Sequence, residues 1–198
     1  RNAGGEMFLH LAHIPLDGEL HGALLEVLAW EGREAALVRR EQRAFLETNL
    51  PPDAYLELAL KPKRRSELAR KQRRLSELGS LTVAREIGTD SIEEWADRFL
   101  ELERSGWKGR AHSALACDSR TESLFREALR GAAKRGRLER LALSLDGRPI
   151  AMMTTFLTPP GAFGFKTAFD EEFARFSPGA LLQQDALGLE HVGPDARA

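Results

Sequence analysis

The chain has 198 residues, is 42% hydrophobic and 30% charged, and carries a formal net charge of -1. That length holds one large domain or two small ones with an ordinary globular balance, and the near-zero charge excludes global steering toward nucleic acid or a membrane surface. No apolar run is long enough to span a bilayer, and the lone cysteine, Cys117, excludes an internal disulfide framework and points to a reducing, cytoplasmic compartment.

In chain order, MFLHLAH (Met7 to His13) alternates apolar with polar or small residues and reads as a strand. GELHGALLEVLAWEG reads as a helix ended by Gly32, and EAALVRR (Glu34 to Arg40) as a second strand. LPPDAYLELAL predicts a short helix capped by Asp53, and Pro62 interrupts the pattern. A helix then runs from Lys63 to Leu78, with Leu68, Leu75 and Leu78 on one face and Gly79 as its stop.

The rest is more regular. LTVARE (Leu81 to Glu86) is a strand. A helix follows from Asp90 to about Ser105, with Ile92, Trp95, Ala96, Phe99 and Leu102 at helical spacing. Ser119 and Glu122 form a capping-box pair that opens a helix to about Lys134, closed by Gly136. Leu138 to Leu145 is a strand with Leu141, Leu143 and Leu145 on one face. Asp146-Gly147 is a hairpin turn, Pro149 to Leu157 the return strand, and Phe163 to Phe169 a third strand. Ser177 then reads as the N-cap of a last helix, with Pro178 at its first position. Gly179 is a poor helix former there. It is wanted where something approaches the backbone, and the free N–H groups of a first turn make an anion site. The stretch is read either as a plain capped helix or as a phosphate dock.

Other residues carry less. His10 and His13 would face opposite sides of a strand, and no Cys or acidic residue is spaced to complete a zinc site, so no metal is expected. Cys117 lies just before a helix start but belongs to no catalytic motif. KPKRRSELARKQRR (Lys61 to Arg74) holds eight Lys or Arg residues and one Glu. It is either a solvated helix face or a contact for a polyanion: phosphate or nucleic acid, an anionic membrane surface, or an acidic partner.

The element order suits a sheet covered by helices on both faces. With KPKRRSELARKQRRLSELG before the first strand of this part, WKGR after its first helix, LDGRPIAM across the hairpin and FDEEFARFSPGALL before the last helix, the chain resembles the GNAT acyltransferase superfamily. The finer pattern resembles the branch found beside bacterial cellulose biosynthesis, which is related to the Fem aminoacyltransferases with their two GNAT-like halves. The resemblance covers Lys61 to His191. It implies an α/β (α+β) fold with a mixed, mainly antiparallel sheet, and two parts. Residues 1–60 would be the tail of a degenerate first half, and 61–198 a second GNAT-like domain without its final strand.

The resemblance implies an N-acyltransferase moving an acetyl or other acyl group from acyl-CoA to an amine of a sugar or small metabolite, by direct attack. It places the donor's pyrophosphate at Ser177, Pro178 and Gly179, with the amides of Gly179, Ala180, Leu181 and Leu182 as donors, and the pantetheine arm along Phe163 to Phe169. The superfamily's usual turn is Arg or Gln, two residues, Gly, one residue, then Gly or Ala. RFSPGA keeps Arg175 but spaces the glycine differently and inserts a proline. Lys166 is a candidate for phosphate or carboxylate binding, against a surface lysine. Asp170 is the candidate for handling the acceptor proton, against a solvated acidic turn with Glu171 and Glu172. Trp107 and Lys108, with Arg110, would shape the acceptor site, against an aromatic plug at a helix end. Two further readings are a Fem-like enzyme with a tRNA-borne donor and a non-catalytic binding module on the same fold.

Overall fold

The computed structural model describes residues 9–11, 14–42, 46, 48–159 and 161–188. The chain's contacts divide it into two compact units, residues 1–47 and 48–198.

In the first unit, helix α1 spans Glu19–Trp30 and Gly32, at φ 66°, ends it as expected. The expected strand over Glu34 to Arg40 is absent: these residues are irregular and exposed. An apolar stretch such as AALV becomes a strand only when a neighbour takes its N–H and C=O groups, and none does so here among the described residues. Of the expected strand Met7 to His13, residues 9–11 are irregular and residues 7, 8, 12 and 13 lie outside the described residues.

The second unit is built on four antiparallel strands in the order β1-β2-β3-β4: Leu81–Ile87, Leu138–Leu145, Arg148–Thr158 and Gly161–Phe169. Its helices are α2 (Pro52–Ala59), α3 (Pro62–Ser76), α4 (Ile92–Ser105), α5 (Trp107–Arg110), α6 (Ser119–Ala133) and α7 (Pro178–Gly188). One face of the sheet packs on α4 and α6. Trp95, Phe99, Phe125 and Leu129 meet Leu138, Ala142, Met152 and Ala168 there, and Trp95, Phe99, Phe125 and Phe165 stack in series. The other face packs on α3 and α7. Leu68, Leu75, Leu181 and Leu182 meet Leu141, Leu143, Leu145 and Met153. The strand period of two sends Leu141, Leu143 and Leu145 to that side, as the sequence implies. A register slip between Leu143 and Ser144 places neighbours Ile150 and Ala151 on it together.

Several expected ends move. Pro51, not Asp53, stands at the N-cap of α2, and α2 packs on α7. Pro62 does not interrupt a helix; it opens α3 from a first-turn position, where its missing N–H leaves no bond unmade. Leu78 falls beyond α3 and is exposed, whereas Leu68 and Leu75 are buried. Asp118 rather than Ser119 caps α6, because its carboxylate accepts the N–H of Arg120 at 2.8 Å. The Asp146-Gly147 turn forms with both residues at positive φ, 50° and 80°. Asp146 also accepts the N–H of Ser80 at 2.8 Å and returns its own N–H to the Ser80 carbonyl. The turn thereby latches the chain as it enters β1, and a Cβ on Gly79 would meet the Asp146 carboxylate at 2.2 Å.

Arg140 fixes the opposite end of β1. It is buried on β2, with Nη1 3.1 Å from the Glu86 carboxylate and Nη2 donating to the carbonyl of Asp90 at 2.9 Å. The loop into α4 is therefore pinned to the sheet.

Asp185 on α7 is half-buried with no ion pair or hydrogen bond among the described residues, and burial pushes its carboxyl above the usual Asp value. A raised folded-state pKa favours the neutral acid in the fold, so its contribution is fully present in acid and lost as pH rises through that value. Asp185→Asn is therefore expected to match the wild type below about pH 4 and to melt at a higher temperature at pH 7. Thermal melts across that pH range check it.

Candidate active site

The edge strand β4 carries an extra residue. The register shifts between Thr154 and Thr155, so that Lys166 faces Thr154 and Gly164 faces Thr155. The N–H of Lys166 is taken by the hydroxyl of fully buried Thr154, at 3.2 Å. Among the described residues β4 pairs only with β3, which leaves its other edge open. The Lys166 ammonium lies 5.9 Å from the Phe165 ring centre. Phe165 packs with the α4 and α6 core, and Ala168, two residues on from Lys166, belongs to that core too. Lys166, a candidate for phosphate or carboxylate binding, thus sits on the sheet face opposite α7.

Asp170 ends β4. Its N–H bonds to the Ile150 carbonyl at 2.9 Å, and its side chain is 10% exposed. One carboxylate oxygen is ion-paired with Arg148, and the other accepts the N–H of Glu172 at 3.0 Å. Asp170 therefore caps the short 3-10 segment Glu171–Phe176 and holds Arg148, which also reaches Glu172 at 3.3 Å. Both oxygens have partners, so Asp170 caps the segment and pairs with Arg148 at once.

Glu171 turns the other way and joins this segment to α5. It accepts the N–H of Trp107 at 2.8 Å and pairs with Arg110 at 2.6 Å. The Arg110 guanidinium, then the Trp107 N–H, hold its carboxyl below the usual carboxylate range. Beneath α5, buried Glu103 accepts from the Lys108 ammonium at 2.7 Å and from the Leu115 N–H at 2.8 Å. Lys108 is thus a strut of the α4–α5 corner. Trp107 is 55% exposed, with its ring free of the core. The corner is tight at Gly109, where a Cβ would stand 1.7 Å from the Arg104 carbonyl oxygen.

At the start of α7 the expected N-cap is only half realised. The Ser177 carbonyl accepts the N–H of Ala180 and of Leu181, at 2.9 and 3.1 Å. Its hydroxyl does not cap the helix. It accepts instead from the Lys71 ammonium of α3, at 2.8 Å. Ser177 is in the left-handed region, φ 56° and ψ 52°. The N–H of Gly179 has no partner among the described residues. The expected set of four donor amides is accordingly corrected. Ala180 and Leu181 bond back to Ser177, and Leu182 lies past the first turn, within the helical ladder, with its side chain buried. Pro178 has no N–H to give. A Cβ on Gly179 would meet Phe169 at 3.7 Å and Thr167 at 3.9 Å, ordinary contacts. Neither contact nor backbone angle therefore requires glycine there.

The structure thus brings Asp170, Trp107 and Lys108 into one polar region through Glu171, Arg148 and Arg110, and places Ser177, Gly179 and Lys71 together at the start of α7. Lys71, Arg148 and Glu103 escaped the sequence reading. Lys71 is 106 positions from Ser177, and no spacing rule connects them. Cys117 is exposed beside the α6 cap. Among the described residues no cluster of three or more His, Cys, Asp or Glu is placed to hold a metal ion, and no helix is long and apolar enough to cross a membrane.

A sheet of this order, crossed by α4 and α6 before β2 and followed by a helix whose start presents a free amide, finds its match in a family profile. The profile described as Acetyltransferase (GNAT) domain covers residues 62–188. The chain belongs to the GNAT acetyltransferase family. It is an acyl-transfer enzyme with the GNAT-like α/β fold, and domains of this family draw their acyl group from an acyl-CoA co-substrate. No curated protein matches the chain. Within this GNAT domain the matched residues begin at α3 and end with α7, so every residue of both polar regions lies inside the match.

Two outcomes follow from the ties around α5. Gly109→Ala is expected to cost about 3 kcal/mol in chemical denaturation, because backbone must move to admit the methyl group. Glu171 has a depressed folded-state pKa, so its stabilisation is present above the ordinary Glu value and lost as pH falls through the depressed one. Glu171→Gln is expected to be less stable than the wild type at pH 7, with the gap closing in acid; denaturation at both pH values checks it.

Proposed function

We propose that this GNAT domain is an N-acyltransferase that passes an acetyl or other acyl group from acyl-CoA to an amine of a sugar or small metabolite. The observation that carries the reading is the start of α7, where the Gly179 N–H, unpartnered among the described residues, lies two residues from Ser177 and its Lys71 ammonium. A helix start with a free amide and nearby positive charge suits a pyrophosphate. The Ser177, Pro178 and Gly179 backbone would hold the phosphates, and the open edge of β4 would lie along the pantetheine arm, as an added strand does. The acyl-CoA supplies an activated thioester, which an unprotonated amine attacks directly: the C–N bond forms, the C–S bond breaks, and CoA leaves as the thiol with the proton the amine gives up. The chain's own part is to hold the two reactants together.

The acceptor is proposed to bind over Trp107, at the corner braced by Glu103, Lys108 and Glu171. Asp170 is the proposed acceptor-side carboxylate, acting with Arg148 and Glu172 as one charged cluster. Residues 1–60 are proposed to be the remnant of a first GNAT-like half, and the whole to belong to the cytoplasmic branch found beside bacterial cellulose biosynthesis. In support, its quoted motifs fall on α3, α5, the β2–β3 hairpin and the start of α7. The second reading, a Fem-like enzyme with a tRNA-borne donor, has one observation on its side. Lys63, Arg70, Arg73 and Arg74 lie on the exposed side of α3, opposite Leu68 and Leu75, with no ion pair among the described residues. The same stripe is the proposed polyanion contact within Lys61 to Arg74. A non-catalytic module would bind none of these donors productively.

Titration with acetyl-CoA, CoA and longer acyl-CoAs tests the donor. At about a hundred times its dissociation constant a ligand adds roughly 2.7 kcal/mol of stability, a clear thermal shift. Gly179→Val is expected to keep the fold and reduce that shift, since its side chain crowds the free amide. No shift with any CoA species, together with binding of RNA at moderate salt, would overturn the acyl-CoA reading in favour of the tRNA-borne donor.

A further inference from the structure

A serine at a helix start ordinarily turns its hydroxyl onto the N–H groups of the first turn and satisfies them. Ser177 does not. Its hydroxyl accepts from Lys71, and the Gly179 N–H, which such a cap would cover, is left free. Two features show that this is a constrained arrangement. Ser177 sits at φ 56°, where a glycine would be relaxed and a serine is strained. The retained hydroxyl is the group the strained residue contributes. Lys71, in turn, is held on three sides: by α3 itself, by Glu67 at 3.0 Å and by Ser177 at 2.8 Å. Its side chain is 20% exposed, whereas Arg70, Arg73 and Arg74 around it are exposed. Glu67 is fixed from its other oxygen by Arg64 at 3.0 Å.

We propose that Lys71 is a positioning residue for the donor: by holding the Ser177 hydroxyl toward α3 it stops α7 from capping itself and keeps the Gly179 N–H available to the phosphates of acyl-CoA. This rests on the acyl-CoA reading above. It assigns to α3 a part in donor affinity that acts through Ser177, not through contact with the reacting atoms.

The test is the dissociation constant of CoA, measured by calorimetry well below the melting temperature, for the wild type, Lys71→Met, Lys71→Arg, Ser177→Gly and the Lys71→Met/Ser177→Gly pair. Lys71→Met is expected to bind CoA about tenfold more weakly, the scale of one charge-assisted hydrogen bond. Lys71→Arg, which can still donate to the hydroxyl, is expected to restore most of that loss. In the Ser177→Gly background, with no hydroxyl to turn inward, Lys71→Met is expected to add no further loss. An undiminished loss in that background would overturn the proposal and make Lys71 a direct phosphate contact. Unchanged affinity in a folded Lys71→Met would overturn it as well. Failure of the donor reading looks different, because the wild type itself then binds no CoA and the proposal falls with it.

Discussion

The sheet is apolar on both faces along β2 and β3, and most of the second unit follows from covering it. Leu138, Ala142 and Met152 look one way; Leu141, Leu143 and Met153 look the other. Leaving either side in water would expose several large side chains at once, each worth about 1.5–3 kcal/mol on burial. Helices α4 and α6 close one side with three aromatic rings that stack on Phe165 of β4, and α3 and α7 close the other with leucines. Because α7 must lay Leu181 and Leu182 on the sheet immediately after β4 ends, its first turn has little freedom in where it points. The free amide of Gly179 is positioned by a packing requirement.

The polar ties then set the details that packing leaves open. Seven residues separate β4 from Ser177. Within them Asp170 holds Arg148 across the sheet end, and Glu171 holds α5. Each carboxylate also serves a backbone N–H, so the segment is braced by charge and by hydrogen bonding together. Exposed ion pairs alone would contribute little. A carboxylate that accepts a backbone N–H besides an arginine has its direction fixed at two points, and it can hold a loop. Glu103 does the same work inside the α4–α5 corner, where it is buried and both of its oxygens are engaged.

The same economy explains why a GNAT domain can depart from the usual glycine-rich turn. RFSPGA offers one free amide rather than several, with Pro178 contributing none. Positive charge from outside the turn reaches it through Lys71 of α3, and the turn's own Arg175 lies over the Phe176 ring at 4.7 Å. The basic helix divides into two sides with different surroundings. Its flank holds Arg64 and Lys71 on the shared Glu67 carboxylate, and its outer side carries cations with no ion pair among the described residues.

Local rules made much of this legible from the sequence. The three hairpin-linked strands, the Asp146-Gly147 turn, the core stripe of α4 and the helix start after Phe176 depend on neighbours a few residues apart, and all are found where their residues imply them. So did the family, because motif order and spacing survive in one dimension. Where the sequence misled, the deciding partner was remote. The stretch Glu34 to Arg40 has strand-like residues and no strand beside it. The face on which Lys166 lies, opposite α7, is likewise set by the sheet and its bulge. The tie of Asp170 to Arg148, 22 residues earlier, has no local signal either. The sequence alone determined that a helix begins at Ser177 with a glycine in its first turn, since capping and propensity act within four residues. Only the tertiary structure decided that its serine faces Lys71 and leaves Gly179 open, because that bond spans 106 residues and exists only once α3 and α7 share one face of the sheet.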